Sequence, residues 1–173
     1  MIAHRAPALL AVVALALFAS GCGSSSDPAS TASGQTSTTS ADPEQQLEAA
    51  VRDAIQRDHE ESVRSLWTNR VPARPVATAG PALKQWRQSV ADRRRAGVRV
   101  RSLSQRVRIL SVRLDPSYEE ARALIRADQR VQLVGDDGRN IGKPRVGRER
   151  VRLLLRRVGE GRFVVWRVEV LRR

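Results

Sequence analysis

The sequence holds one cysteine, Cys22, among 173 residues, so no disulfide can close within the chain and no cysteine cluster can bind zinc. Histidine is nearly as scarce, and beyond the first few residues only His59 is left. Aromatic residues make up 3% of the chain, too few for the stacking platforms that single-stranded nucleic-acid binders use. Lysine appears twice, as Lys84 and Lys143, among 31 basic residues. The apolar run Ala6–Phe18 counts 13 residues, which is too short to span a bilayer as a helix. No glycine-rich loop precedes a helix to cradle phosphate, and no Gly-x-Ser-x-Gly elbow is present. Gly135-Asp-Asp-Gly138 lacks the remaining ligands of a calcium loop and reads as a hairpin turn. No metal and no cofactor is therefore implied.

What the chain has in excess is arginine. The formal charge is +13. Setting aside Arg5, Asp27 and Asp42, residues 43–173 carry 30 basic against 16 acidic residues, a net of +14. Two readings of this stay open. Codon bias in a GC-rich genome produces arginine on a solvated surface, whereas a selected basic surface attracts anionic lipid or wall polymer.

The first residues read as an address. A short n-region with Arg5 precedes the apolar run, and Ala19-Ser20-Gly21-Cys22 resembles the lipobox cut by lipoprotein signal peptidase, with Ala19 where leucine is commonest. The resemblance implies a signal peptide over 1–21, diacylglycerol and palmitate on Cys22, and a protein held on the cell membrane by lipid, facing outside the cytoplasm. Residues 22–42 are mostly Ser, Thr, Ala, Gly and Asp, a composition that cannot offset its ordering entropy and reads as a tether. Such a coil spans roughly 25 Å root-mean-square.

Residues 43–173 form one domain-sized unit. Asp42-Pro43-Glu44-Gln45 has the cap and first-turn proline of a helix start. Leu47, Val51, Ala54, Ile55 and Asp58 share a side, with a break expected near Asp58-His59 before the helix resumes through Ser62 and Leu66. A further helix starts at Gly80-Pro81, buries Leu83, Trp86 and Val90, leaves Arg87, Arg93, Arg94 and Arg95 mostly outside, and stops at Ala96-Gly97. After Gly97 the period becomes two. Strands are expected at 98–102 and 106–114, and at 121–134, where Ala121, Ala123, Ile125, Ala127, Val131 and Leu133 share one face. A last hairpin follows. With Glu160-Gly161 as a two-residue turn, Leu155 pairs with Trp166, Leu153 with Val168, Val151 with Val170, and Arg152 meets Glu169 on the other face. Helices followed by an antiparallel sheet make an α+β layer arrangement.

That order of elements, with the Trp86-containing helix ahead of a sheet closing in Phe163-Val-Val-Trp-Arg-Val-Glu-Val170, resembles the nuclear transport factor 2-like, or SnoaL-like, cone over about residues 43–172. Lipoproteins of actinobacteria carry similar domains. The resemblance implies helices on a curved antiparallel sheet, a tendency to form homodimers, and a pocket in which Asp, His or Tyr moves a proton on a hydrophobic small molecule. No motif aligns those residues with positions in this chain.

Three residues are candidates for such chemistry. His59 lies in the polar run Gln-Arg-Asp-His-Glu-Glu, where an exposed helix surface is the better reading and a catalytic base the other. Tyr118 is turn packing or pocket lining. Strand parity turns Glu149 inward beside Val151 and Leu153, as a rim residue paired with arginine or as a general base of raised pKa. On the opposite face Arg122, Arg126 and Arg130 stand beside Arg148, Arg150, Arg152 and Arg156, with Asp128 and Glu169 to relieve their repulsion. A polyanion would complete that relief. The sequence thus reads as a lipoprotein with a non-catalytic domain for a ligand or envelope partner, the alternative being a cyclase- or isomerase-type enzyme.

Overall fold

The computed structural model describes residues 42–171. The expected signal segment, Cys22 and all of the tether except Asp42 lie outside the described residues. Two helices pack on one face of a four-stranded antiparallel sheet of order β1-β2-β3-β4, an α+β fold.

The first helix, α1 (Pro43–Thr68), starts as its sequence dictates. Asp42 accepts the Glu44 amide at 3.1 Å, and Pro43 fills a first-turn position whose N–H would have no partner. The helix then runs unbroken through Asp58 and His59, which corrects the expected break. Its buried residues Val51, Ala54, Ile55, His59, Ser62, Ser65 and Leu66 keep the three- and four-residue spacing of one face, so the polar run continues the stripe. α1 ends at Asn69, which is left-handed at φ 49°.

The second helix, α2 (Gly80–Arg95), buries Ala82, Trp86, Val90 and Arg93. Arg93 was expected outside with its neighbours. It is instead held against α1, donating to Asn69 Oδ1 at 3.1 Å and to the Ser65 carbonyl at 3.4 Å. Trp86 Nε1 donates to Ser65 Oγ at 2.8 Å, and Asn69 Nδ2 donates to the Val98 carbonyl at 2.7 Å. This polar clasp fixes α1, α2 and the start of the sheet to one another.

The strands are β1 (Val98–Leu114), β2 (Glu120–Gly135), β3 (Asn140–Arg157) and β4 (Phe163–Leu171). The two expected segments of β1 are one strand. The outer edge of β4 is covered where Thr78 bridges Val165 in parallel, with Val165 donating to Ala77 at 2.7 Å. Among the described residues β1 pairs with β2 alone, so its other edge is open. Two apolar clusters lie between layers: a larger one around Val51, Ile55, Ile125, Val151, Leu155 and Phe163, and a smaller one of Leu66 and Val100 with Val63, Val131 and Leu133.

The sheet keeps its apolar face inward by adding residues outward. Ladder shifts fall between Ser102 and Ser104, between Ile109 and Ser111, and opposite Leu154/Leu155, which leaves Leu103, Leu110 and Trp166 as extra residues. At Leu110 and Trp166 two consecutive residues, Leu110-Ser111 and Trp166-Arg167, lie between inward neighbours, Ile109 and Val112 or Val165 and Val168. Such bulges bend a strand and lengthen its outer path, curling the sheet around α1.

The last bulge corrects one predicted pair. Val151–Val170, Leu153–Val168 and Arg152–Glu169 are paired as expected, but Leu155 faces Val165 and not Trp166. Val158 donates to the Arg162 carbonyl around a three-residue loop, which sets the register one step off, and the bulge at Trp166 restores it. Trp166 turns to the outer face, where the Arg156 guanidinium stands 4.5 Å from its ring, and the ring lies over Gly80.

A Cβ at Gly80 would stand 2.6 Å from the Trp166 ring, and the residue holds φ +55°. Gly138 holds φ +80° with nothing within 4 Å of its would-be Cβ. Gly80→Ala is therefore expected to cost at least ~2 kcal/mol and Gly138→Ala only ~1 kcal/mol in urea denaturation. Equal losses would mean that the ring does not press on Gly80.

Candidate functional site

The three candidates for proton transfer are not brought together. Tyr118 sits in the β1–β2 turn at φ 57°, 39% exposed. Glu149 faces Ala127, which is seven residues along β2 from Glu120 and so at least about 20 Å from that turn. Glu149 is half-buried, one of its carboxylate oxygens is enclosed without a partner, and burial raises its pKa.

His59 is 3% exposed, which overturns the exposed-surface reading. Neither ring nitrogen has a partner, and burial lowers its pKa to about 3, so the ring is neutral at any physiological pH. It lies between Ile55, packed in the larger cluster, and Val63, packed in the smaller. On the sheet side, the rows between Ile125 and Val131 hold Gln105, Gln129 and Glu149, with Gln129 lying against Gly147. A polar seam thus separates the two apolar clusters.

One turn of α1 also carries a group that the sequence did not single out. Asp58 Oδ1 accepts the Thr78 hydroxyl, and Glu61 accepts the Val76 amide at 3.2 Å, so two acids hold the strap that covers β4. The Asp58 carboxyl is enclosed although the residue as a whole is half-buried. Desolvation raises its pKa to about 7, the Thr78 bond opposes that shift, and the neighbouring Glu61 charge adds to it. The i, i+3 spacing of the acids was visible in the sequence, but not the strap they hold.

Between helices and sheet lie the two apolar clusters and the polar seam that separates them. Two grooves, about 360 and 640 Å³, flank α2, and no sheet residue lines either. Among the described residues no set of three or more His, Cys, Asp or Glu comes together to hold a metal.

The outward face is where charge concentrates, and the register shows which arginines are compensated. Asp128 takes Arg126 at 3.3 Å and Arg148 at 3.6 Å; Glu169 takes Arg152 and Glu120 takes Arg156, each at 3.0 Å. Of the expected β2–β3 grid, only Arg126 and Arg150 stand directly opposite one another; Arg122 faces Leu154 and Arg130 faces Val146. The row continues onto β1, where Arg108 faces Arg126 and Arg113 faces Arg122.

The arginines of β1 are what sequence reasoning left out of the basic face. The strand carries Arg99, Arg101, Arg106, Arg108 and Arg113 and no acid, and all five are exposed. Among the described residues Arg108, Arg113, Arg122, Arg130 and Arg150 form no ion pair. The signal was five arginines without an acid over 17 residues; what hid it was that the sequence alone set no register between β1 and β2.

The chain is thus an α+β protein, two N-terminal helices on a four-stranded antiparallel sheet. No protein-family model and no curated protein matches its sequence. Among solved structures it is similar to the intermembrane space region of the chloroplast protein ARC6, at 14% identity over 74% of this chain and 92% of that one, with a TM-score of 0.46. It is also similar to a protein from Catenulispora acidiphila, at 19% identity over 73% and 93%, with a TM-score of 0.36. Neither likeness is close enough to carry function across.

Asp58 and His59 pull stability in opposite directions with pH. Asp58, raised from 3.8 to about 7, contributes stability that is complete below pH 3.8 and is lost as pH rises through about 7. His59, lowered from 6.5 to about 3, contributes stability present above pH 6.5 and lost as pH falls toward about 3. Between about pH 4.5 and 6.5 the two slopes oppose. Asp58→Asn is expected to leave a stability that falls steadily on acidification in that window, measured by denaturation at several pH values. A variant as flat as the parent would show that Asp58 does not hold its proton in the fold.

Proposed function

We propose that the protein is a membrane-anchored extracytoplasmic lipoprotein whose domain is non-catalytic and uses the outward face of its sheet to hold a polyanionic envelope partner. The observation that carries this reading is the row Arg108–Arg126–Arg150, three like charges side by side on adjacent strands with only Arg126 met by an acid, which costs energy unless a further anion sits on it. An extended anionic surface meets that demand better than a small ligand, because the uncompensated arginines spread from β1 to β3.

The lipid anchor of this reading rests on Cys22 and the residues before it. The domain shares with nuclear transport factor 2-like cones helices seated against an antiparallel sheet, and the two grooves beside α2 are not lined by the sheet as the pocket of such a cone would be. Glu149 keeps an enzyme reading in view through its raised pKa, but neither His59 nor Tyr118 stands ready as a second proton-transfer group. A homodimer through the sheet face would bring the arginine rows together, and nucleic acid would find almost no aromatic surface there.

Sedimentation with phosphatidylglycerol vesicles and with poly(glycerol phosphate) tests the electrostatic part. Binding of the unlipidated chain to at least one of them is expected to weaken on the order of tenfold between ~0.05 and ~0.3 M NaCl. Replacing Arg108, Arg126 and Arg150 by Gln is expected to cost ~3 kcal/mol, about a hundredfold, at low salt. Salt-insensitive binding, or none to either, would contradict the reading.

A further inference from the structure

The margin of the basic face along β1 carries apolar groups that a polyanion alone would leave unused. Trp67, in the last turn of α1, is 44% exposed, and its ring meets the guanidinium groups of Arg99 at 6.0 Å and Arg101 at 5.3 Å. Its neighbour Leu66 fills the smaller core cluster, so the core does not require Trp67. Leu103 and Leu110, the two residues added by the β1 bulges, are each 46% exposed. Val146, across β2 from Ser104 in the row of Arg130, is 71% exposed. Single exposed apolar residues need no explanation. Here four of them stand among Arg99, Arg101, Arg106, Arg108 and Arg130, with Asp128 as the one acid in those rows.

We propose that this margin is a bilayer-contacting edge: guanidinium groups of β1 and β2 take lipid headgroup phosphates while Trp67, Leu103, Leu110 and Val146 enter the headgroup–acyl boundary of an anionic membrane. The inference rests on the polyanion-binding reading above and names its partner. Phosphate-rich wall polymer would satisfy the arginines and offer nothing to an indole and two leucines. A bilayer offers both layers at the depths where tryptophan and arginine settle, the ring at the interface and the long cationic side chain reaching back to the phosphates. A second copy of the chain is the poorer fit, since pairing β1 with β1 would set five arginines against five.

The test uses the chain from Gly23 onward, which contains every residue of the described fold. Vesicles of phosphatidylglycerol with brominated acyl chains report indole depth through fluorescence quenching. Vesicles of phosphatidylcholine, and poly(glycerol phosphate) in solution, separate charge from bilayer. Wild-type fluorescence is expected to be quenched by the brominated anionic vesicles, and Trp67→Phe to bind them while losing most of that quenching. Leu103→Ser with Leu110→Ser, both at exposed positions, is expected to weaken vesicle binding about tenfold and to leave polymer binding unchanged. Vesicle binding without Trp67-dependent quenching and indifferent to the leucine changes would overturn the inference and leave the polyanion reading standing. So would binding to the polymer but not to vesicles. If neither binds, both readings fall.

Discussion

Everything in this structure depends on keeping the apolar residues of a bent sheet on the one face that meets α1. A strand alternates its side chains with a period of two, so a slip of one residue would carry arginine into the core and leucine out of it. Bending without slipping is achieved by bulges that put the additional residue outside. Leu110 and Trp166 are such additions, and the inward neighbours Ile109, Val112, Val165 and Val168 all stay with the larger cluster. Between β2 and β3 the shift spans two additional residues of β3, an even number that preserves parity. There Gln132 turns its amide into the gap and donates to the carbonyls of Ile141 and Gly142.

The same constraint explains why charge is so concentrated. With most of the inner face given to Val, Ile, Leu, Ala and Phe, the arginines of β1 and β2 and most of those of β3 are sent outward, Arg145 and Arg157 beside Val131 and Phe163 being the exceptions. The acids available to meet them are few and fall on β2 and β4, so compensation runs out toward β1. Bending also widens the outer face, where the added Leu110 and Trp166 now sit beside guanidinium groups. An exposed face both basic and apolar therefore follows from how the sheet is curled.

Much of the fold was legible because local signals agreed with it. Asp42 and Pro43 mark a helix start, Gly97 a helix end, and the alternation from Ala121 to Leu133 a strand with one buried side. Three features were hidden, each because a distant partner decides it. The polar run around Asp58 and His59 looks like a break until the strap at Val76–Thr78 and the sheet cover it. Arg93 looks like its exposed neighbours until Asn69, 24 residues away, supplies an acceptor. Leu155 and Trp166 look like partners until a three-residue loop displaces them. As for the site, the β2 and β3 arginines could be read from parity, but which of them lack an acid could not. That depends on register, and register placed Arg108 and Arg113 of β1 beside them.

The partition of inner and outer faces can be measured directly by proton–proton contacts across β3 and β4 in solution. The account predicts that Leu155 lies opposite Val165 and Leu154 opposite Arg167, with Trp166 unpaired and its ring close to Gly80 and Arg156. An uninterrupted ladder in which Leu155 lies opposite Trp166, with the indole inside the core, would contradict it.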